Sequence, residues 1–343
     1  MRNVTMRKTF WLAVLPAAAL LSGTAIANEA PHIEREEWSF AGFKGHYDKN
    51  QLQRGFQVYK EVCSNCHGLS RIYFRNLVQP GGPEFPEEAV KALAAAWPNQ
   101  IAETNDAGDG VIATKGADGK TNGFKLVKRA PKLPDPILGP YANEKAARAN
   151  FGGALPPDLS VIAKARNVEF HGPWYLHPGS MLKDIVTGYQ EGGPDYIHAL
   201  LTHYADVPSY VRDGKGKLVP AKAGDTTAEP CVSITESEDG KPDTCNKLAD
   251  GMNYNTVYPG NQLAMIPPLG DGVVAYAAGA DGSPAAPQTA DQYARDVASF
   301  LAWTADPSLN ARKSIGWQVM LYLLVTTVLL YLGKKRIWSR IEH

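Results

Sequence analysis

Two thiols and an imidazole fall within five residues at Cys63-Ser64-Asn65-Cys66-His67, and this cluster constrains the chain more than any other stretch. Two cysteines two residues apart can reach the two vinyl groups of one porphyrin. The adjacent histidine is then held beneath the iron as an axial ligand, so the spacing reads as covalent attachment of a c-type haem. Two other chemistries use a Cys-x-x-Cys pair. A zinc site wants a second close pair, but Cys231 and Cys245 are separated by thirteen residues. A redox dithiol wants an adjoining strand-helix-strand pattern, which is not apparent. A non-haem exported thiol or zinc protein therefore remains the competing class.

A chain organised around a porphyrin borrows much of its core from it. The 32 glycines and 25 prolines among 343 residues fit that economy: they predict a loop-rich fold of short helices, mainly α in class. The zero net charge hides an asymmetry. Residues 1–27 and 312–343 carry nine Lys/Arg and one Asp/Glu, which leaves 26 basic and 34 acidic residues between them, a net of −8. Such a field attracts a basic partner and is the wrong sign for nucleic acid.

The two ends carry address information. Arg2, Arg7 and Lys8 precede an apolar run from Phe10 to Leu21, and Ala25-Ile26-Ala27 offers a small-residue cleavage site, so residues 1–27 read as a secretory signal. Twelve apolar residues are too few to span a bilayer. Near the other end, residues 315–332 form eighteen uncharged positions, followed by Lys334, Lys335, Arg336, Trp338 and Arg340. That pattern predicts a transmembrane helix with a cytoplasmic tail at 333–343 and the domain of residues 28–311 outside, in the periplasm. Export also places Cys231 and Cys245 in an oxidising compartment. There they most simply form a disulfide worth about 3 kcal/mol by loop entropy, two free thiols being the alternative.

Between the ends, Asp48 is a plausible N-cap for a helix to about Cys63, with Leu52, Phe56, Tyr59 and Val62 on one stripe. Residues 86–97, 143–150 and 195–203 predict further helices. Gly152 to Ser160 leads through Pro156-Pro157-Asp158 into a helix reaching Arg166. Arg71 and Arg75 lie one helical turn apart, and either could reach a haem propionate. Residues 105–122 and 205–250 read as polar excursions, and 289–305 as a helix closed by Asp306-Pro307. A second iron ligand must come from far along the chain, and methionine sulfur suits electron transfer. Met181, Met252 and Met265 are the candidates outside the terminal segments; Met265 sits in a loop stiffened by Pro267-Pro268.

Taken together, these stretches resemble the cytochrome c1 family, the haem subunit of respiratory quinol:cytochrome c oxidoreductase. The resemblance rests on Arg54 to Lys60 running into the haem motif, Ala146-Ala147-Arg148-Ala149, Gly153 to Ser160 and Lys164-Ala165-Arg166. It continues through Met265 with Pro267-Pro268 and Trp303 to Pro307. It implies one haem c bound through Cys63 and Cys66, His67 as fifth and Met265 as sixth iron ligand, Arg166 on a propionate and Tyr196 nearby. It further implies a disulfide between Cys231 and Cys245, as in bacterial relatives, and a bacterial inner-membrane location. The implied partners are cytochrome b, a Rieske iron–sulfur protein and a soluble or tethered c-type cytochrome. No side chain is then required as acid, base or nucleophile. A haem subunit of another periplasmic electron-transfer complex is the neighbouring alternative.

Overall fold

The computed structural model describes residues 33–102, 111–115, 119–126, 128–167, 177–187, 189, 191–222, 224–235, 242–278 and 284–339. Its helices are α1 Lys49–Glu61, α2 Glu87–Ala95, α3 Glu144–Asn150, α4 Ile162–Ala165, α5 His177–Thr187, α6 Gly192–Thr202, α7 Ala290–Ala305 and α8 Leu309–Trp338. Long connections and short paired strands join them, so the fold is mainly α and loop-rich, as the composition indicates. The signal-like residues 1–27 lie outside the described residues, as do 105–110 and 116–118 of the first excursion.

The core is the crossing of α1 and α7. Each helix starts where a short polar side chain captures a free backbone amide: Asp48 accepts from Gln51 N at 2.7 Å, and Thr289 accepts from Gln292 N at 3.3 Å. Leu52, Phe56, Val58 and Tyr59 of α1 then bury against Tyr293, Val297, Phe300 and Trp303 of α7. Phe300 meets Phe56 edge-on with ring centroids 5.6 Å apart. Burying each such side chain contributes roughly 1.5–3 kcal/mol. The backbones touch at Gly55, where a Cβ would lie 2.1 Å from the Asp296 carbonyl oxygen, so only glycine permits this crossing.

A buried carboxylate ties the same crossing. Asp296 is fully buried, yet Arg54 donates to it through Nε at 2.8 Å and Nη2 at 3.0 Å, Tyr276 at 2.8 Å and Gln292 at 3.0 Å. Burial alone would lower the Arg54 pKa, but the paired Asp296 more than reverses it. The network is therefore fully satisfied, the condition under which a buried charge is tolerated.

The expected helix from the Pro156-Pro157 step to Arg166 shrinks to the four residues of α4. The physical reason is local: the Pro157 carbonyl and the Asp158 carboxylate bond across to residues 67–70 instead of entering a helix. α6 begins at Gly192 rather than near Asp195, because Pro194, with φ preset, suits a first helical turn. A Cβ at Gly193 would lie 1.6 Å from the Ala163 carbonyl oxygen, so α6 starts pressed against α4. α5 has no counterpart in the sequence reading. The polar excursions contain paired strands: Val111–Lys115 with Thr121–Leu126, then Ser209–Arg212 between Leu218–Pro220 and Glu229–Pro230, and Ser233–Thr235 with Thr244–Asn246. Cys231 and Cys245 are bonded, with Cα atoms 5.3 Å apart.

α8 is longer than the apolar run of 315–332. At 30 residues it is about 45 Å long, is apolar enough to cross a membrane and is unburied by the rest of the chain along its apolar stretch. Its first turn belongs to the domain: Asn310 accepts from Tyr47 N at 3.0 Å and Lys313 Nζ donates to the Phe40 carbonyl at 2.6 Å. Asp306, between α7 and α8, pairs with Lys164 at 3.3 Å and with Arg312. Only three residues separate α7 from α8, so the apolar helix continues the domain without a slack linker.

Candidate functional site

α1 delivers the cysteine–histidine motif at its C-terminal end, where helix carbonyls lack partners. The two residues between the cysteines supply them. Ser64 Oγ donates to the Lys60 carbonyl at 2.7 Å, and Asn65 Nδ2 donates to those of Glu61 and Val62 at 3.1 and 3.2 Å. The His67 amide turns back onto the Cys63 carbonyl at 2.9 Å, so both thiols and the imidazole sit on one compact turn.

His67 then makes the bond that decides its chemistry. Its Nδ1 lies 2.7 Å from the Pro157 carbonyl oxygen. A carbonyl only accepts, so Nδ1 carries the proton and Nε2 keeps a free lone pair, the arrangement of a metal-ligating histidine. Burial lowers the His67 pKa against the opposing pull of Pro157 and Asp158, which favours the neutral ring. The Pro157 loop is itself fixed. Asp158 accepts from Ser70 N at 2.8 Å and from Ser160 N at 2.9 Å, Leu159 N donates to the Gly68 carbonyl at 2.9 Å, and Ser160 Oγ accepts from Arg71 N at 3.0 Å. From the other side, Tyr59 donates its hydroxyl to the His67 carbonyl at 3.1 Å.

Cys63 and Cys66 are not bonded to each other. Burial, with a further push from Cys66, raises the Cys63 thiol to about 12, and burial raises Cys66 as well. A dithiol redox pair works through a lowered thiol pKa, and both thiols here are shifted the other way. Among the described residues the one group of close potential metal ligands is Glu229, Cys231 and Cys245, whose cysteines are bonded to each other, and it does not include Cys63 or Cys66. Two unbonded thiols and a neutral imidazole with Nε2 free are the donor set that a covalently attached haem requires.

The other sequence-derived residues take separate places. Met265 is half-buried just after the strand Gln262–Leu263, which pairs with Asn253–Tyr254. Tyr204 donates its hydroxyl to the Met265 carbonyl at 3.1 Å, and buried Asn255 fastens the hairpin to α6 through the Leu200 carbonyl at 2.9 Å. Met181 and Met252 are exposed instead, at 53% and 37%. Tyr196 is buried on α6 in a small cluster with Ala199 and Val257. Arg166 is exposed, makes no ion pair among the described residues and donates to the Ala165 carbonyl at 3.2 Å. Arg71 and Arg75 make no ion pair there either; Arg75 stacks over Tyr73 at 4.9 Å. α4 packed on α6 thus joins the loop that orients His67 to the hairpin that carries Met265. The Pro157 carbonyl, Asp158 and Tyr204 were not singled out as site residues from the sequence. Of these, Asp158 stands in the Pro156-Pro157-Asp158 step, which reads in the sequence as a helix entry.

A mainly α domain that offers this donor set at the end of its first helix, and continues into an unburied apolar helix, defines a membrane-attached c-type cytochrome with one haem. Comparison with known proteins gives the family: the model of the Cytochrome C1 family matches residues 38–341. Cytochrome c1 of Blastochloris viridis is 40% identical over 326 residues, covering 95% of this chain and 93% of that protein. Cytochrome c1 of Rhodospirillum rubrum is 36% identical, covering 94% of each. Cytochrome b/c1 of Bradyrhizobium diazoefficiens is 38% identical over 96% of this chain, which spans 39% of that longer protein. The chain belongs to the cytochrome c1 family. It is accordingly a haem c protein of respiratory electron transport and a subunit of an oxidoreductase complex.

Proposed function

We propose that this chain receives electrons from a Rieske iron–sulfur protein and passes them to a c-type cytochrome within quinol:cytochrome c oxidoreductase, beside cytochrome b. The observation that carries the reading is the His67–Pro157 bond, which commits one ring nitrogen to the protein and leaves Nε2 for iron. Cys63 and Cys66 form the thioethers and His67 is the fifth ligand. Met265 is the sixth: it is half-buried, and its backbone is held by Tyr204, two residues beyond α6, which packs against α4. Arg166, free of ion pairs among the described residues, neutralises a propionate, and Tyr196 packs nearby. Bound haem c supplies one-electron exchange at iron. Cys63 and Cys66 would attach it, the Pro157 carbonyl orients the His67 ring, and His67 and Met265 would hold the iron.

The acidic surplus of residues 28–311 favours a basic acceptor, so electron transfer to it slows as ionic strength rises. The name cytochrome b/c1 of the Bradyrhizobium relative supports cytochrome b as the neighbouring subunit. The basic flank after residue 332 puts the haem domain in the periplasm and the C-terminus in the cytoplasm of a bacterial inner membrane, with residues 1–27 as the export signal.

The test is Met265→Leu in the haem-loaded chain. The potential falls and the reduced iron becomes accessible to carbon monoxide, while covalent haem content is kept. Unchanged spectra and potential would move the sixth ligand to Met181 or Met252. Purification through this chain, with its companion subunits identified, tests the assignment to the complex.

A further inference from the structure

α5 is built inside out. At 100° per residue, Met181, Leu182, Ile185 and Val186 occupy one arc of about 140°, while Ser180, Lys183, Asp184 and Thr187 occupy the opposite side. A surface helix of a water-soluble domain buries the first arc and exposes the second. On the opposite side Asp184 is half-buried and pairs with Arg35 at 3.0 Å, the Thr187 carbonyl lies near Gly42, and Lys183 reaches solvent. The apolar side faces outward, with Met181 53%, Leu182 62%, Ile185 66% and Val186 67% exposed. Phe43, the neighbour of Gly42, adds a further exposed ring at 67%.

The position of this patch indicates what covers it. Gly42, which lies beside the end of α5, accepts from Lys313 Nζ through its carbonyl, and Lys313 is two residues before the apolar run of α8 begins at Ile315. α5 and Phe43 therefore lie beside the turn from which the apolar helix leaves the domain. Exposed Lys44 and Lys183 flank the patch, as lysines do on helices that lie among anionic headgroups.

We propose that α5 is an interfacial helix, its Met181–Val186 face seated with Phe43 at the headgroup–acyl boundary of the bilayer that α8 crosses, on the side of the haem domain. α5 then makes a second contact with the membrane and fixes the tilt of the domain about α8. The proposal rests on the reading of α8 as the membrane span.

The experiment uses the full haem-loaded chain in vesicles of phosphatidylcholine and phosphatidylglycerol. Single variants Leu182→Cys, Ile185→Cys and Lys183→Cys are reacted with a charged, membrane-impermeant maleimide. In parallel, the wild-type chain is irradiated with a phospholipid carrying a photoreactive group on its acyl chain. Maleimide should label Lys183→Cys about tenfold faster than the other two, and acyl-chain adducts should appear in both 177–187 and 315–332. Equal maleimide labelling at all three positions overturns the proposal. So does a face protected from maleimide that gains no lipid adduct, since protein then covers it. Absence of adducts in 315–332 would refute the membrane span itself, whereas adducts there without adducts on α5 refute only the interfacial helix.

Discussion

The α1–α7 crossing and the disulfide-closed segment of residues 205–250 hold their shapes by opposite means. The crossing buries Phe56, Tyr59, Tyr293, Phe300 and Trp303 around one fully bonded carboxylate. Among its described residues the segment buries little beyond Leu218, Cys231, Val232 and Asp243, and it relies on two- and three-residue strand pairings and one covalent bond. Short polar segments cannot gather enough apolar area to offset their ordering entropy, so a cross-link takes the place of a core. The Cys63–His67 motif is mounted on the first kind of structure, at the end of α1. Its ring orientation therefore inherits the rigidity of the crossing and is insulated from the insertion.

The strongest way to break that contrast is Gly55→Leu, which places a side chain where Asp296 carbonyl oxygen already lies 2.1 Å from a Cβ. The helices cannot cross, the loss exceeds about 4 kcal/mol, and the chain should be recovered without covalent haem by in-gel haem stain. Asp296→Ala is expected to cost about 3–5 kcal/mol, because it strands the Arg54 guanidinium and the Tyr276 hydroxyl without their acceptor; chemical denaturation followed at the haem absorbance measures it. Cys231→Ser with Cys245→Ser should cost about 3 kcal/mol by loop entropy, but locally. Proteolysis within 205–250 should accelerate while the haem spectrum stays fixed, and a spectral change would show that the insertion does support the haem.

The smallest effect concerns the junction with α8. Burial pushes the Asp306 carboxyl up, but Lys164 and Arg312 more than offset it and hold it below the usual carboxylate range. The folded state therefore favours the ionised form. The stabilisation is present at neutral pH and fades as pH falls below about 4, through the depressed value. Because the partners are solvent-screened it amounts to less than about 1 kcal/mol. Asp306→Asn should flatten this part of the acid limb in thermal melts taken between pH 3 and pH 6, and an unaltered limb would remove the ion pairs from the account.

Much of the helical framework was readable along the chain, because Asp48, Asn143 and Thr289 each cap the helix that follows within three residues. α5 escaped because its apolar residues sit beside Pro178 and Gly179 at the end of a Gly/Pro/aromatic stretch, and because its pattern faces the wrong way for a core. The thiols and imidazole of the site were legible in five consecutive residues. Their orienting group was not, since Pro157 contributes only a backbone carbonyl from 90 residues away and every residue has one.

Sequence alone pointed to the attachment chemistry and determined the apolar terminal helix and the family pattern, since each depends on residues within one turn or one run. The tertiary structure decided which nitrogen of His67 stays free, that Arg54 meets Asp296 across 242 residues, and that α5 turns its apolar face outward. Those outcomes depend on which carbonyls, carboxylates and surfaces are brought within bonding distance, and the local pattern of side chains does not encode that proximity.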